Sequence, residues 1–136
     1  MTARTPDTSV VVAGLSSWHV DHDLARRELA RRPPALAAVL IEAYSVLTRL
    51  PPPRRLRPRL VRDALVAALP GDPIVLPAGA LRALLNGLVD HNVVGGGAYD
   101  AVIAETARFH GMTLVSLDQR ARQVYEAIGV DLSMLS

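Results

Sequence analysis

The segment GGGAYDAVIAETARFHGMTLVSLD, residues 95–118, predicts a loop, a helix, a tight turn and a strand in that order. Small and apolar residues recur at helical spacing from Tyr99 to His110, and Gly111 suits the left-handed turn that commonly ends a helix. The run Thr113–Leu117 that follows is typical of a short buried strand. The segment therefore predicts a helix that leads into a strand, with a carboxylate, Asp118, directly after the strand.

The rest of the chain continues this alternation of longer helices and short strands. Other predicted helices cover His19–Arg32, Ala35–Leu50, Arg57–Leu69, Ala78–Asp90 and Gln119–Ile128, and other strand-like runs cover Ser9–Ala13, Ile74–Leu76 and Val130–Leu132. Such an alternation predicts an α/β sandwich around a central, mostly parallel sheet. The 136 residues are enough for one core, so a single domain spanning residues 1–136 is expected.

The composition excludes several classes of function. The chain has no cysteine, which excludes a disulfide framework, a zinc-thiolate site and a cysteine nucleophile. All 15 basic residues are arginine, so mechanisms that need a lysine are excluded, whereas guanidinium groups suit phosphate ligands. Because the sequence shows no secretory signal and no apolar run of membrane-spanning length, we expect a cytoplasmic protein without membrane contact.

Four of the 13 acidic residues have unusual surroundings. Asp7 precedes an apolar run, and Asp118 follows a predicted strand. Glu42 lies at the edge of the apolar stripe of its helix, where a carboxylate is costly unless it is paired or binds a metal. Asp100 begins the helix after the glycine loop. Each also has a structural interpretation: a turn residue for Asp7, an arginine ion pair for Glu42, and helix-terminal charges for Asp100 and Asp118.

The four acids together indicate a function more clearly than any one of them does alone. Ligands of parallel sheets bind at the carboxyl ends of the strands, where these side chains could meet. Four carboxylates in one pocket would raise one another's pKa values unless divalent cations neutralised them. Oxygen ligands of this kind favour Mg²⁺ or Mn²⁺ over zinc, and these metals activate water for phosphodiester hydrolysis.

The four acids and the residues around them resemble the PIN-domain ribonucleases, specifically the VapC-type toxins of bacterial toxin–antitoxin modules. The resemblance covers nearly the whole chain and is carried by Asp7-Thr8-Ser9, Glu42 in IEAYSVLTR, Asp100 in GGGAYDAVIA and Asp118 in LVSLD. It implies an α/β/α sandwich in which the four acids bind Mg²⁺ or Mn²⁺ and carry out catalysis. It further implies that Ser9 and Ser116 support the metal ligands.

The same resemblance implies an activity and partners. We expect endonucleolytic cleavage of structured RNA, in exposed loops of tRNA or rRNA, which arrests growth until a cognate antitoxin neutralises the enzyme. A segment of the antitoxin is expected to enter the active site, and the toxin is expected to form a homodimer. His22 resembles a position common in these toxins, although a histidine on a helix surface is the simpler interpretation.

The N-terminal region departs from the family pattern in two respects. The family usually has an apolar strand before the first acid, whereas Thr5-Pro6 precede Asp7 here, so a weak strand or one at the sheet edge is expected. The β-branched run Ser9–Ala13 by itself indicates a strand. The family instead turns into a helix after the first acid, and we expect the helix.

Other functions also deserve comparison with the sequence. A phosphatase on a similar sheet would need Asp-x-Asp and a supporting lysine, but residue 9 is serine and the chain lacks lysine. A catalytically silent PIN-like scaffold that binds RNA or a partner stays open, as does a DNA-directed nuclease of this fold, since both nucleic acids present phosphates. The glycines 95–97 are expected to form a flexible connection. Either an RNA-backbone contact or a solvated surface explains the arginine cluster, which comprises Arg54, Arg55, Arg57, Arg59 and Arg62.

Overall fold

A computed structural model describes residues 2–136, in which seven helices surround a small sheet of three strands. The strands are β1 (Arg4–Pro6), β2 (Thr113–Ser116) and β3 (Asp131–Met134). The helices are α1 (Thr8–Gly14), α2 (His22–Leu29), α3 (Ala37–Thr48), α4 (Pro58–Ala68), α5 (Ala78–Asp90), α6 (Gly97–Phe109) and α7 (Arg122–Ile128). Within the described residues, no helix combines the length and apolar character that a membrane crossing requires.

The sheet has the order β1-β2-β3, and both strand pairs are parallel. The central strand β2 is buried at all of its residues. Because β1 comes first in this order, it lies at an edge of the sheet, as expected from the polar residues that precede Asp7. Asp7 N donates a hydrogen bond to Val115 O at 2.9 Å, which extends the β1–β2 pairing beyond β1 itself. The carboxyl ends of β1 and β2 consequently lie side by side.

Helices cover both faces of the sheet. Successive side chains of a strand point to opposite faces. Leu114 belongs to the larger hydrophobic core, which also contains Val39 of α3 and Ile103 of α6. Val115 belongs to a smaller core with Val10 of α1 and Ala25 of α2. Since the two neighbouring residues of β2 lie in different cores, the expected α/β/α sandwich is confirmed.

The segment Ser9–Ala13 is helical, so its interpretation as a strand is wrong and the helix expected from the family is confirmed. Asp7 begins this helix by accepting a hydrogen bond from Val10 N at 3.3 Å. Val10 and Val11 are fully buried. Burial of a valine side chain contributes about 1.5 kcal/mol or more, whereas the helix propensity of valine costs at most about 0.7 kcal/mol. Tertiary packing therefore outweighs the local preference for a strand.

The predicted strand Ile74–Leu76 is also wrong, because only Ile74 pairs, in a single parallel bridge with Leu36. Prolines at both sides of this run lack the N–H groups that a longer ladder would need. The predicted helix His19–Arg32 is shortened to α2, since Arg32 adopts a positive φ of 54° just before the proline pair. The remaining predicted elements are present with bounds shifted by a few residues.

Candidate active site

A cavity of about 450 Å³ lies where the carboxyl ends of β1 and β2 meet α1, α3 and α6. All four acids singled out in the sequence line it: Asp7, Glu42, Asp100 and Asp118. A larger groove of about 610 Å³ between α3 and α4 is lined mainly by apolar side chains and by no carboxylate. The chemistry that the sequence predicts therefore belongs to the smaller, acidic cavity.

Asp7 is the most buried of the four acids, with 1% of its surface exposed. Its Oδ1 accepts hydrogen bonds from Ser9 Oγ at 2.5 Å and from Val10 N at 3.3 Å. Its Oδ2 accepts from Ser116 Oγ at 2.5 Å and from Tyr125 OH at 2.8 Å. Burial raises the pKa of Asp7, while these hydrogen bonds oppose the shift. The carboxylate thus links α1, β2 and α7 at the base of the cavity.

Ser9 and Ser116 are the two residues expected to support the acids, and their hydroxyls connect Asp7 to the backbone after β2. Each hydroxyl donates to Asp7 and also accepts a backbone hydrogen bond. Ser9 Oγ accepts from Leu117 N at 2.9 Å, and Ser116 Oγ accepts from Asp118 N at 2.9 Å. The chain that carries Asp118 is therefore held in register with Asp7 through two serine hydroxyls.

Asp100 and Asp118 face each other across the guanidinium group of Arg120. Arg120 Nη1 lies 3.2 Å from Asp100 Oδ2, and Nη2 lies 3.1 Å from Asp118 Oδ2. Burial is the largest cause that raises the pKa of Asp100; the charges of Glu42 and Asp118 add to it, and Arg120 opposes it. Asp118 Oδ1 also accepts from the backbone N of Arg120 and Ala121, which forms a turn and delays the start of α7.

Glu42 lies half-buried on α3 and lines the acidic cavity. Within residues 2–136, no arginine forms an ion pair with Glu42. The interpretation of Glu42 as the partner of an arginine is therefore wrong for the described chain. Arg49, one of the residues that share the cavity wall, instead donates to Ser45 Oγ at 2.6 Å. The Glu42 carboxylate is thus left for an interaction inside the cavity.

The donor chemistry of the cavity suits a hard divalent cation. No three acidic or histidine side chains in the described part of the chain are arranged closely enough to hold a metal ion. The wall nevertheless supplies carboxylates from several elements, and Thr8 Oγ1 is buried there without a hydrogen-bond partner among residues 2–136. Oxygen atoms of these kinds are the ligands that Mg²⁺ and Mn²⁺ prefer. Asp7, Glu42, Asp100 and Asp118 line the cavity with carboxylate oxygens of this kind.

The sequence did not identify five other titratable side chains that line the cavity: His19, Asp21, Arg49, Arg120 and Tyr125. Arg120 has a local signal, since it follows Asp118 by two residues. Tyr125 has none, because an aromatic residue on an amphipathic helix ordinarily indicates packing in the core. His22 is absent from the lining; its Nδ1 lies 2.9 Å from Ala13 O, which ties α2 to the end of α1.

The arginine cluster divides into distinct environments. The guanidinium carbon of Arg54 lies 4.2 Å from the ring centroid of Trp18, and Arg62 pairs with Asp63 at 3.0 Å. Arg55, Arg57 and Arg59 are exposed and have no carboxylate partner within the part of the chain described. Arg55 Nε donates to Leu50 O at 2.9 Å, whereas the guanidinium groups of Arg57 and Arg59 are available to an anionic ligand.

The loop before α6 has the simple connecting geometry expected of it. Gly95 adopts a positive φ of 57°, a conformation that glycine tolerates without strain. Gly97 is the first residue of α6, and Asp100 follows in the first turn of that helix. The loop therefore sets the direction in which α6 presents Asp100 to the cavity.

Comparison with known proteins agrees with this site. The PIN domain family matches residues 5–127. The chain is 40% identical over 131 residues to ribonuclease VapC40 of Mycobacterium tuberculosis (strains CDC 1551 / Oshkosh and ATCC 25618 / H37Rv), covering 96% of this chain and 98% of that protein. It is 37% identical over 129 residues to ribonuclease VapC27 of the H37Rv strain, covering 91% and 90% of the two chains. The chain therefore belongs to the PIN-domain family, among the VapC-type ribonucleases.

Proposed function

We propose that the chain is a Mg²⁺- or Mn²⁺-dependent endoribonuclease that acts as the toxin of a toxin–antitoxin system. The observation that carries the proposal is that the four predicted acids line one cavity at the strand ends, together with a fifth acid, Asp21, in a chain whose relatives are named ribonucleases. A cation bound there would activate a water molecule and stabilise the leaving oxygen of a phosphodiester.

The side chains that line the cavity would have different roles in the reaction. Glu42, Asp100 and Asp118 would hold the cation through their carboxylate oxygens. Asp7 is the fourth proposed ligand, and its two oxygens also accept four hydrogen bonds. Asp7 would therefore have a positioning role as well, in which its charge and its contacts with the serine hydroxyls order the strand ends. Arg49 lies on the same wall and can bind a substrate phosphate.

The proposed substrate is structured RNA cleaved in an exposed loop of tRNA or rRNA. Arg55, Arg57 and Arg59, which have no carboxylate partner among the described residues, supply positive charge for the RNA backbone. The acids lie inside a cavity, with Asp7 and Asp100 buried, so the scissile phosphate must enter it. An unpaired loop can bend into such a cavity more readily than a stiff duplex. A DNA-directed nuclease of this fold is the competing possibility.

We further propose a cognate antitoxin and a homodimer as the protein partners. Two large apolar side chains are exposed beside the acids: Ile41, at 72%, precedes Glu42, and Tyr99, at 70%, precedes Asp100. Both line a cleft that also contains Glu42. A protein segment that covered these side chains would at the same time block the acidic cavity. We propose that the toxin alone arrests growth and that the antitoxin relieves this arrest by covering the cavity.

We also infer a single domain across residues 1–136 and a cytoplasmic location. One hydrophobic core contains residues from Val11 in α1 to Val130 before β3, so the elements at both ends of the chain share it. The cytoplasm contains the proposed RNA substrates. Both statements are proposals that accompany the nuclease function.

The decisive test is a cleavage assay with purified protein. Wild type, Asp100→Asn and Asp63→Asn would be incubated with tRNA, rRNA and DNA of matched length, in Mg²⁺, in Mn²⁺ and in EDTA. Asp63 is a suitable control because it is exposed and pairs only with Arg62 among the described residues. Discrete RNA fragments from wild type and Asp63→Asn, absent with EDTA and from Asp100→Asn, are expected.

Other outcomes have distinct meanings. Equal cleavage by Asp100→Asn would refute the assigned site, and fragments from DNA alone would favour the DNA-directed nuclease. Absence of cleavage, together with RNA binding that survives EDTA, would favour the silent scaffold. Expression of the wild-type chain in bacteria should arrest growth, and expression of Asp100→Asn should not.

A further inference from the structure

Arg120 occupies a position that a metal ion would need. Its guanidinium group reaches Asp100 Oδ2 with Nη1 and Asp118 Oδ2 with Nη2, at 3.2 Å and 3.1 Å. It is the one arginine, within residues 2–136, that pairs with two of the five acids that line the cavity. A cation held between Asp100 Oδ2 and Asp118 Oδ2 would use the same oxygens that Arg120 now contacts.

The contact accompanies an arrangement of the acids that differs from that of a metal site. Asp100 and Asp118 each direct one carboxylate oxygen to Arg120, and no group of three metal-binding side chains forms in the described residues. The guanidinium fork spans a gap between two carboxylates that a much smaller ion would draw together. The positive side chain and a divalent cation are therefore alternative partners of the same two acids.

Arg120 can leave this position without disturbing the backbone. Its side chain is 69% exposed, whereas those of Asp100 and Asp118 are 8% and 28% exposed. Solvent screens an exposed guanidinium, so the two ion pairs hold it only weakly. The backbone N of Arg120 continues to donate to Asp118 Oδ1 at 3.0 Å whatever the side chain does. Asp118 thus keeps its turn when the guanidinium group departs.

We propose that Arg120 is a resident counterion that competes with the divalent cation for Asp100 and Asp118, and so sets the cation concentration at which the site fills. The inference rests on the proposed metal-dependent function and deepens it by naming a residue that regulates the site. In the absence of metal, Arg120 neutralises the two acids. When a cation binds, the guanidinium group of Arg120 moves into solvent.

The test measures Mn²⁺ affinity directly, by the loss of the free-ion electron paramagnetic resonance signal as protein is added. The proteins are wild type, Arg120→Gln, Arg120→Lys and Arg122→Gln. Arg122 is the matched control, because it lies two residues further along the chain and pairs with Glu126 rather than with the acids of the cavity. Its replacement removes the same unit of charge without removing the competing contact.

Arg120→Gln is expected to bind Mn²⁺ on the order of tenfold more tightly than wild type. Arg122→Gln should change the affinity by less than about twofold, because an exposed charge outside the cavity is screened. Arg120→Lys keeps the charge but cannot span both acids, and should lie between wild type and Arg120→Gln. Circular dichroism melting curves verify that each variant is folded.

Three results would overturn the inference while leaving the nuclease intact. Equal affinities of wild type and Arg120→Gln would show that Arg120 does not compete, and weaker binding by Arg120→Gln would show that it helps to order the ligands. A rise in affinity of the same size in Arg122→Gln would reduce the effect to general electrostatics and also overturn it. If no protein bound Mn²⁺, the metal-dependent function itself would fail, and the inference with it.

Discussion

The hydroxyl of Tyr125 donates a hydrogen bond to Asp7 Oδ2 over 2.8 Å, although 118 positions separate the two residues in the chain. Tyr125 lies on α7 and is 2% exposed, and Asp7 begins α1 beside β1. The bond therefore connects the first acid of the cavity to the last helix. Both groups are buried, so the bond is protected from exchange with water.

Tyr125→Phe should lower stability and activity without changing the fold. The phenylalanine ring keeps the packing of α7, and the loss of one hydrogen bond to a buried carboxylate costs about 1.5 to 3 kcal/mol. Since Asp7 then has one fewer contact to fix it, we expect cleavage to fall by about tenfold or more. Urea unfolding and initial cleavage rates measure the two effects. Unchanged rates in a destabilised variant would show that the bond serves the fold alone.

Asp7→Ala should destabilise the protein much more than Asp118→Ala. It removes the acceptor of the Ser9, Ser116 and Tyr125 hydroxyls, and buried donors without an acceptor cost about 1 to 3 kcal/mol each. Relief of the buried charge offsets part of this, so a net loss of about 2 kcal/mol or more is expected. Asp118 is partly exposed, and the loss of its turn hydrogen bonds should cost only about 1 kcal/mol. Equal losses in urea unfolding would refute the structural role of Asp7.

Asp100→Asn should stabilise the metal-free protein at neutral pH. Burial raises the pKa of Asp100 in the folded state above its ordinary value, so the folded protein binds protons more readily than the unfolded chain. The free energy of unfolding then falls as the pH rises from the ordinary pKa of aspartate toward the raised pKa of Asp100. Above the raised pKa, the full cost of the buried charge is present. The advantage of Asp100→Asn should therefore shrink as the pH falls from neutral to about 4.

The pH prediction has a simple control and a clear contrary result. Free energies of unfolding would be measured in EDTA across that range for wild type, Asp100→Asn and Asp63→Asn. The exposed Asp63 should give a difference from wild type that changes little with pH. An Asp100→Asn variant that is less stable than wild type at neutral pH would show that the Arg120 pair outweighs burial.

Replacement of both Arg57 and Arg59 by Gln should weaken RNA binding in a salt-dependent way. If both guanidinium groups contact phosphates, the logarithm of the RNA-binding constant should depend less steeply on the logarithm of the salt concentration. The slope should decrease in magnitude by about two. Binding would be measured with the Asp100→Asn protein, so that the RNA stays intact. The same double replacement at Arg82 and Arg108, both outside the cluster, should leave the slope unchanged. An unaltered slope in the Arg57 and Arg59 variant would make the cluster a solvated surface.

The segment from α6 to Asp118 was predictable because its signals are local. Helical spacing from Tyr99 onward, the positive φ of 67° at Gly111 and the buried run of β2 all depend on neighbours in sequence. The α1 helix was not predictable from its valines, because the burial that stabilises it comes from β2 and α2. The short bridge at Ile74 likewise depends on a partner, Leu36, far away in the chain.

The same distinction applies to the site. The predicted strand before Asp118 placed this acid at a sheet edge, whereas a strand before Asp7 was implied only by the family resemblance. The fold brings Glu42 and Asp100 to the same cavity. Their roles as metal ligands stay predictions. The contacts of Tyr125 and the bridging of two acids by Arg120 were not predictable, since they depend on side-chain conformations and on which helix faces meet. No spacing along the chain encodes such contacts.

The stacking of Arg54 on Trp18 has a practical consequence. Trp18 is the single tryptophan of the chain, and its ring lies 5.6 Å from that of His19, which lines the acidic cavity. Tryptophan emission from this protein therefore originates from one spot between the cavity and the arginine cluster. An oligonucleotide, an ion or a protein segment that displaced Arg54 from the indole would alter that emission. The native chain thus contains its own optical reporter of occupancy at the cavity mouth, with no dye attached.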